Sequence, residues 1–358
     1  MHSFENIIVG ILILSFVVFV HEMGHYLAAR WRHIQVDVFS IGFGPSLFSW
    51  HDRVGTRWQL SLLPLGGYVK LHGFESPVSS DDVDEESFHK KPLLSRAIVT
   101  VMGPVFNFIL TIVVFSVLFS LYGQPEVKPD IQQVVSGGAA DKAGLHVGDH
   151  LTRLNGHDVL GAADLQAQIM AHPGEKVTVG LMRQGKELDI PVTLDAVTEG
   201  KRQIGRLDIG FAISPGHALP IYKAIPHAFT QTGKLCVDQL KAIWQIVSGQ
   251  RSAKQLSGTI GIIQASGQVV HYGLASLLFF VAMISASLGL FNLFPIPMLD
   301  GGHLVMYAFE AVRGRPVPEQ VQGYALQIGL TLVLALFLFT GYNDLGRLGL
   351  FRWLFSGN

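Results

Sequence analysis

From Ile7 to Val20 the chain carries no charge, and at the end of that run stand His21-Glu22-Met23-Gly24-His25. Few folds tolerate this pairing. An ionisable side chain at the centre of a membrane helix costs about 2.5–3.5 kcal/mol on insertion scales. Three such groups within five residues imply that something bound neutralises them. On a helix, His21 and His25 fall one turn apart on one face. That spacing suits two ligands of a tetrahedral zinc, with Glu22 beside the water that the metal activates.

Three further segments are long and apolar enough to cross a bilayer, each near the roughly 20 residues required. The expected spans are about 7–31, 97–122 (interrupted by Gly103-Pro104), 274–299 (ending in Pro295 and Pro297) and 324–341. Proline and glycine inside a span call for neighbouring helices or a lined cavity, so the second and third spans are expected to pack in a bundle. Only 15% of the 358 residues are charged, the net charge is −1, and no nucleic-acid partner is expected. The one cysteine, Cys236, excludes an internal disulfide and a cysteine zinc site, and reads as a packed side chain. Met1 to Asn6 holds Glu5 and no basic residue, which reads as a retained helix instead of a signal peptide.

Arg30, Arg32, Arg53, Arg57, Lys70, Lys90, Lys91 and Arg96 lie between the first two spans, and Arg313 and Arg315 between the last two. The positive-inside rule puts both loops in the cytoplasm, both termini outside, and the His21 motif toward the cytoplasmic side. The long insert then lies outside. Ser79 to Glu86 is acidic and reads as an exposed loop.

The insert opens as a β-rich unit. Val177, Val179 and Leu181 alternate, as do Leu188, Ile190, Val192 and Leu194, with Arg183-Gln184-Gly185-Lys186 between them. That is a hairpin pattern. Strands are also expected at 131–135 and 150–154, and a short helix at 162–171. The run Ala143-Gly144-Leu145-His146-Val147-Gly148-Asp149, followed by Leu154-Asn155-Gly156, resembles a PDZ domain. Such domains take up extended peptides at a sheet edge. Beyond it, Leu240, Ile243, Trp244 and Val247 mark an amphipathic helix, free to lie on the membrane or against the β-rich unit.

A catalytic zinc needs a third protein ligand. Asp300 stands out, at the end of Asn292-Leu293-Phe294-Pro295-Ile296-Pro297-Met298-Leu299-Asp300-Gly301-Gly302 and on the same expected membrane side as His21. His303 is a rival. His51, His72, His146, His157 and His271 fall in loops or in the insert.

H-E-x-G-H in the first span, N-x-x-P-x-P-x-L-D-G-G in the third and a PDZ-like insert together resemble the site-2 protease family of intramembrane zinc metalloproteases. The likeness is greatest to the bacterial regulators of sigma-E proteolysis. It implies a polytopic α-helical membrane protein of about four transmembrane helices, with an inserted extracytoplasmic PDZ domain and a membrane-associated β-hairpin. It further implies one Zn2+ per chain held by His21, His25 and Asp300, with Glu22 as the catalytic acid/base. Asn292 and Pro297 would line the substrate path. Gly66, Gly67 and Tyr68 belong to the expected hairpin, Leu60 to Leu71, which would pair with unwound substrate. Implied substrates are single-span membrane proteins, such as trimmed anti-sigma factors, and remnant signal peptides. The implied location is the bacterial inner membrane. The organisation expected is 1–122 (two spans and the hairpin), 125–198 (PDZ), 199–273 (linker) and 274–358 (two spans). One departure stands out: members of this type from enteric bacteria carry two PDZ units, and this chain shows one. A non-catalytic PDZ scaffold with a structural zinc is the alternative, but a structural zinc has no use for Glu22. A four-span transporter explains neither the H-E-x-x-H spacing nor the insert.

Overall fold

The computed structural model describes residues 2–74, 85–123, 126–199, 202–214, 216–250, 253, 258–271 and 273–347. Most of the acidic stretch 79–86 lies outside them. The elements in chain order are α1 (His2–Trp31), β1 (Val36–His51), β2 (Arg57–Leu71), α2 (Leu93–Tyr122), β3 (Glu126–Val134), α3 (Ala139–Lys142), β4 (His150–Leu154) and β5 (His157–Asp158). There follow α4 (Ala162–Met170), β6 (Lys176–Arg183), β7 (Lys186–Thr193), β8 (Asp195–Glu199), β9 (Arg202–Arg206), β10 (Ile209–Ser214), α5 (Ile221–Val247), α6 (Thr259–His271), α7 (Leu274–Asn292), α8 (Asp300–Arg313) and α9 (Glu319–Arg347). They form two compact units, one of residues 1–118, 221–239 and 254–358, the other of 119–220 and 240–253.

In the first unit, α1, α2, α7 and α9 are, among the described residues, the four helices long and apolar enough to span a membrane. Their outer faces stay apolar: Leu12, Phe16, Val113, Leu330, Leu334 and Phe337 are all exposed. A fold whose uncovered surface is hydrocarbon uses lipid as its solvent. α6, a helix the sequence did not signal, packs on α1 where Gly10 meets Ile263. Its first turn is capped from α9, where Asp344 accepts hydrogen bonds from the Gly258 and Gly261 N–H groups.

α7 stops at Asn292 instead of running to Leu299. Pro295 and Pro297 supply no N–H, and Met298 takes φ 89°, so residues 293–299 form a non-helical link. Asp300 therefore opens a separate helix, α8. Arg96 of α2 grips Glu310 of α8 with two hydrogen bonds of 2.6 and 3.1 Å while its guanidinium lies 5.2 Å from the Tyr307 ring. The pair is partly buried and planar, the geometry in which an arginine–carboxylate contact is strong.

β1 and β2 form an antiparallel two-stranded sheet folded on itself. Ser40 faces both Tyr68 and Gln59, so the inner half of β1 is flanked on both sides. Asp52 ties its base to α1: it accepts from Tyr26 Oη, Trp58 Nε1 and the N–H groups of Val54 and Thr56. At the other end Ser15 Oγ of α1 donates to the Pro64 carbonyl.

The second unit holds a sheet in the order β10-β3-β4-β6-β7 with β5 beside β4, and a β8–β9 hairpin. The alternation read at 177–181 becomes β6, whose Val177, Val179 and Leu181 are buried with Leu151, Leu154 and Leu165. Arg183 pairs with Lys186 across a two-residue turn. β7 is an edge strand, so Leu188 stays partly exposed while Val192 is buried.

Asp149 is buried at the start of β4. It receives Arg183 Nε at 2.7 Å, Arg183 Nη2 at 2.6 Å and the His146 N–H at 2.8 Å. Burial acts to raise its carboxyl, but Arg183 and the His146 N–H outweigh burial and hold it below the usual carboxylate range. Because the folded value is the lower one, this stabilisation is complete above about pH 4 and fades as pH falls through the folded value. Asp149→Ala is expected to destabilise the unit by about 3 kcal/mol, the low end for breaking a buried pair, because Arg183 keeps 26% of its side chain exposed. Amide exchange of β4 and β6 in the intact protein checks this, with wild type and variant converging as the pH is lowered.

Candidate metal centre

His21 and His25 lie one turn apart on α1 with their Nε2 atoms 3.2 Å from each other. Asp300, first residue of α8, places Oδ2 3.2 Å from His21 Nε2 and Oδ1 3.5 Å from His25 Nε2. Zinc binds nitrogen and oxygen at about 2.0–2.2 Å, so tetrahedral ligands stand about 3.4 Å apart. The three spacings match that figure. Each residue offers one donor atom, all within 4.8 Å of one another, and among the described residues no other such group forms.

Two further observations fit a cation. Asp300 Oδ2 is buried with no hydrogen-bond donor, because the neighbouring imidazole meets it without hydrogen-bond geometry. His25 Nδ1 lies 2.9 Å from the Val99 carbonyl, an acceptor only. The ring proton therefore sits on Nδ1, and Nε2 turns its lone pair to the centre, the arrangement usual for a metal-bound histidine.

The local sequence explains why the donors converge. α2 runs on through Pro104 without the break that Gly103-Pro104 suggested, but the proline lacks an N–H and leaves the Thr100 carbonyl without its helical donor. Gly103 lies against the imidazoles: a Cβ there would stand 2.3 Å from His25 Nε2 and 2.9 Å from His21 Cε1. Gly24 lets α1 approach α2 as closely, since its Cβ would fall 2.3 Å from the Met102 carbonyl oxygen. Gly301 and Gly302 likewise pack α8 onto the carbonyls of Leu293, Phe294 and Ile296, which sets Asp300 in place.

A cavity of about 270 Å³ opens beside the three donors, lined among others by Glu22, Tyr68, Thr100, Asn292, Met298 and His303. Glu22 is on the same helix and lines the cavity together with Tyr68 and Val69 of β2. Of the residues expected to meet substrate, Asn292 and Tyr68 line the cavity. Gly67 sits near Glu22, and a Cβ on it would lie 3.6 Å from Glu22 Cγ, whereas Gly66 packs on the Phe43 ring. Pro297 packs on Gly302 and Gly329, and its neighbour Met298 makes the wall. His303 lines the cavity without joining the three-donor group. Sequence reading missed Gly103, Thr100, Val69 and Asn107, whose amide faces His21 Nδ1. Gly103-Pro104 was expected to break the second span, whereas α2 continues through it, and nothing local tied the pair to the histidines.

The model of peptidase family M50 matches residues 9–336. The chain belongs to peptidase family M50. A protein of Agrobacterium fabrum, provisionally named a zinc metalloprotease, is 39% identical over 94% of this chain and 95% of its own. One from Rhizobium meliloti with the same provisional name is 38% identical over 97% and 96%. Metalloprotease MmpA of Caulobacter vibrioides is 33% identical over 99% of both chains. Among solved structures, the PDZ domain of an SdrC-like protein from Listeria innocua aligns with 26% of this chain and 99% of its own, at 16% identity and a TM-score of 0.21. This M50 chain is a zinc metalloendopeptidase and a membrane protein.

Gly103→Ala is expected to push the imidazoles off the centre. Metal analysis of the purified protein should then find zinc reduced at least tenfold, with the helical signal unchanged.

Proposed function

We propose that this M50 peptidase cuts membrane-spanning segments of single-span proteins, with its active site inside the bilayer. The observation that carries the reading is the convergence of His21, His25 and Asp300 beside a cavity in a unit whose outer surface is apolar. His21, His25 and Asp300 hold one zinc. When bound, zinc supplies Lewis-acid polarisation of the scissile carbonyl and of water. Glu22 takes a proton from the attacking water and returns it to the leaving amine. Glu22 lines the cavity beside the three donors, within reach of a water held there.

A helical peptide bond in lipid has its carbonyl engaged and no water nearby, so the substrate must be unwound. The edge of β2 at Gly67, Tyr68 and Val69 borders the cavity and offers main-chain groups to an extended segment. The contact of Pro64 with Ser15 sets the hairpin tip about 9 Å along α1 from His21, six residues at helical rise, inside the span. Phe43, Leu47, Phe48, Leu62 and Leu63 on the hairpin are exposed, consistent with lipid around it.

The distribution of basic residues flanking the spans supports a topology with the metal toward the cytoplasmic side of the bacterial inner membrane and the β-rich unit outside. Substrates of this kind include anti-sigma factors already trimmed outside the membrane and remnant signal peptides, in regulated intramembrane proteolysis. The β-rich unit is a PDZ domain that turns away substrates with bulky outer domains.

Glu22→Gln is expected to retain zinc yet lower cleavage of a co-expressed single-span substrate by about 10²–10⁴-fold, the range of general acid–base assistance. Undiminished cleavage would sink the mechanism. Replacing residues 126–214 with a short linker should admit untrimmed substrates. If the ratio of trimmed to untrimmed cleavage, read on immunoblots, stays the same, gating by that unit is wrong.

A further inference from the structure

Asn107 lies on α2, three residues beyond Pro104, and is 0% exposed. Its backbone carbonyl accepts from Thr111 Oγ1 and from Ser285 Oγ of α7, which holds it between the two helices. Its side-chain Nδ2 stands 3.1 Å from His21 Nδ1, and its Oδ1 is buried without a hydrogen-bond partner. The two ends of a carboxamide have the same shape, so hydrogen-bond accounting decides which faces the ring. With Nδ2 toward the ring, the imidazole proton is forced onto Nε2, against His25 Nε2 and Asp300, and Oδ1 stays orphaned. Turned over, Oδ1 accepts the Nδ1–H proton and Nε2 presents its lone pair to the centre, while the amide N–H groups take the position where Oδ1 has no donor. His25 already shows that pattern through the Val99 carbonyl.

We propose that Asn107 is a positioning residue that accepts the Nδ1–H proton of His21 through Oδ1 and so keeps its Nε2 ready for a divalent cation. Two rings on one helix are then oriented by two acceptors on α2, a backbone carbonyl at Val99 and a side-chain carbonyl at Asn107. The inference rests on His21 being a metal ligand. A polar group buried among three helices is costly unless paired, and His21 is the side chain that pairs with this one.

The test is zinc affinity of the purified full-length chain in detergent, by competition with a chromophoric chelator, for wild type, Asn107→Leu, Asn107→Asp and His21→Ala. A carboxylate accepts but cannot donate, so Asn107→Asp is expected to hold zinc close to wild-type affinity. Asn107→Leu, similar in size without an acceptor, should bind about 10–100-fold more weakly, the usual cost of losing a partner behind a ligating histidine. Wild-type affinity in Asn107→Leu overturns the proposal. So does equal weakening in Asn107→Asp and Asn107→Leu, since a donor role or simple packing predicts that result. Unchanged affinity in His21→Ala removes the ligand assignment itself, and the positioning role with it.

Discussion

Two imidazoles and a carboxylate on apolar helices, with donor atoms within 4.8 Å of one another, set the terms for the rest of this fold. Unneutralised, they oppose burial among apolar helices. Around them the chain abandons regular structure where it must. α2 carries Pro104 within it and so lacks one backbone donor, α7 ends at Asn292, and Asp300 starts a new helix after a proline-rich link. Irregular backbone among apolar helices is tolerated where it lines a cavity, and the 293–299 link supplies Met298 to the cavity wall and leads into Asp300.

The helices that carry the donors are fixed by contacts remote from the chemistry. Arg96 and Glu310 join α2 to α8, so the helix bearing Asp300 is locked to the helix that orients the histidines. Asp52 binds the base of the β1–β2 sheet to Tyr26, the residue after His25. That sheet brings Tyr68 and Val69 to the cavity that Glu22 lines. The groups at this site thus have neighbours on α1, α2, α8 and β2, which gives the tight placement that a metal site requires.

Membrane helices were the most legible part of the sequence, because hydrocarbon solvation imposes a long unbroken apolar run. The β6–β7 hairpin was legible for a similar reason: alternation at Val177, Val179 and Leu181 has one geometric meaning. α6 and α8 were not. Their turns mix glycine, polar and apolar residues, and their helicity comes from packing on α1 and from the Asp344 and Arg96 contacts. The end of span three was placed seven residues too far, since apolar composition continues past Asn292 while the two prolines end the helix.

By itself the sequence determined that the chain spans a membrane, that His21 and His25 share a helical face, and that a catalytic rather than structural metal was in prospect, because spacing and hydropathy are local properties. Only the tertiary structure decided that Asp300 and not His303 completes the donor set, that Gly103 gives the rings their room, and that Val99 and Asn107 stand behind them. Those outcomes depend on how α2 and α8 pack on α1. Packing between residues nearly three hundred positions apart leaves no periodic trace in a single chain.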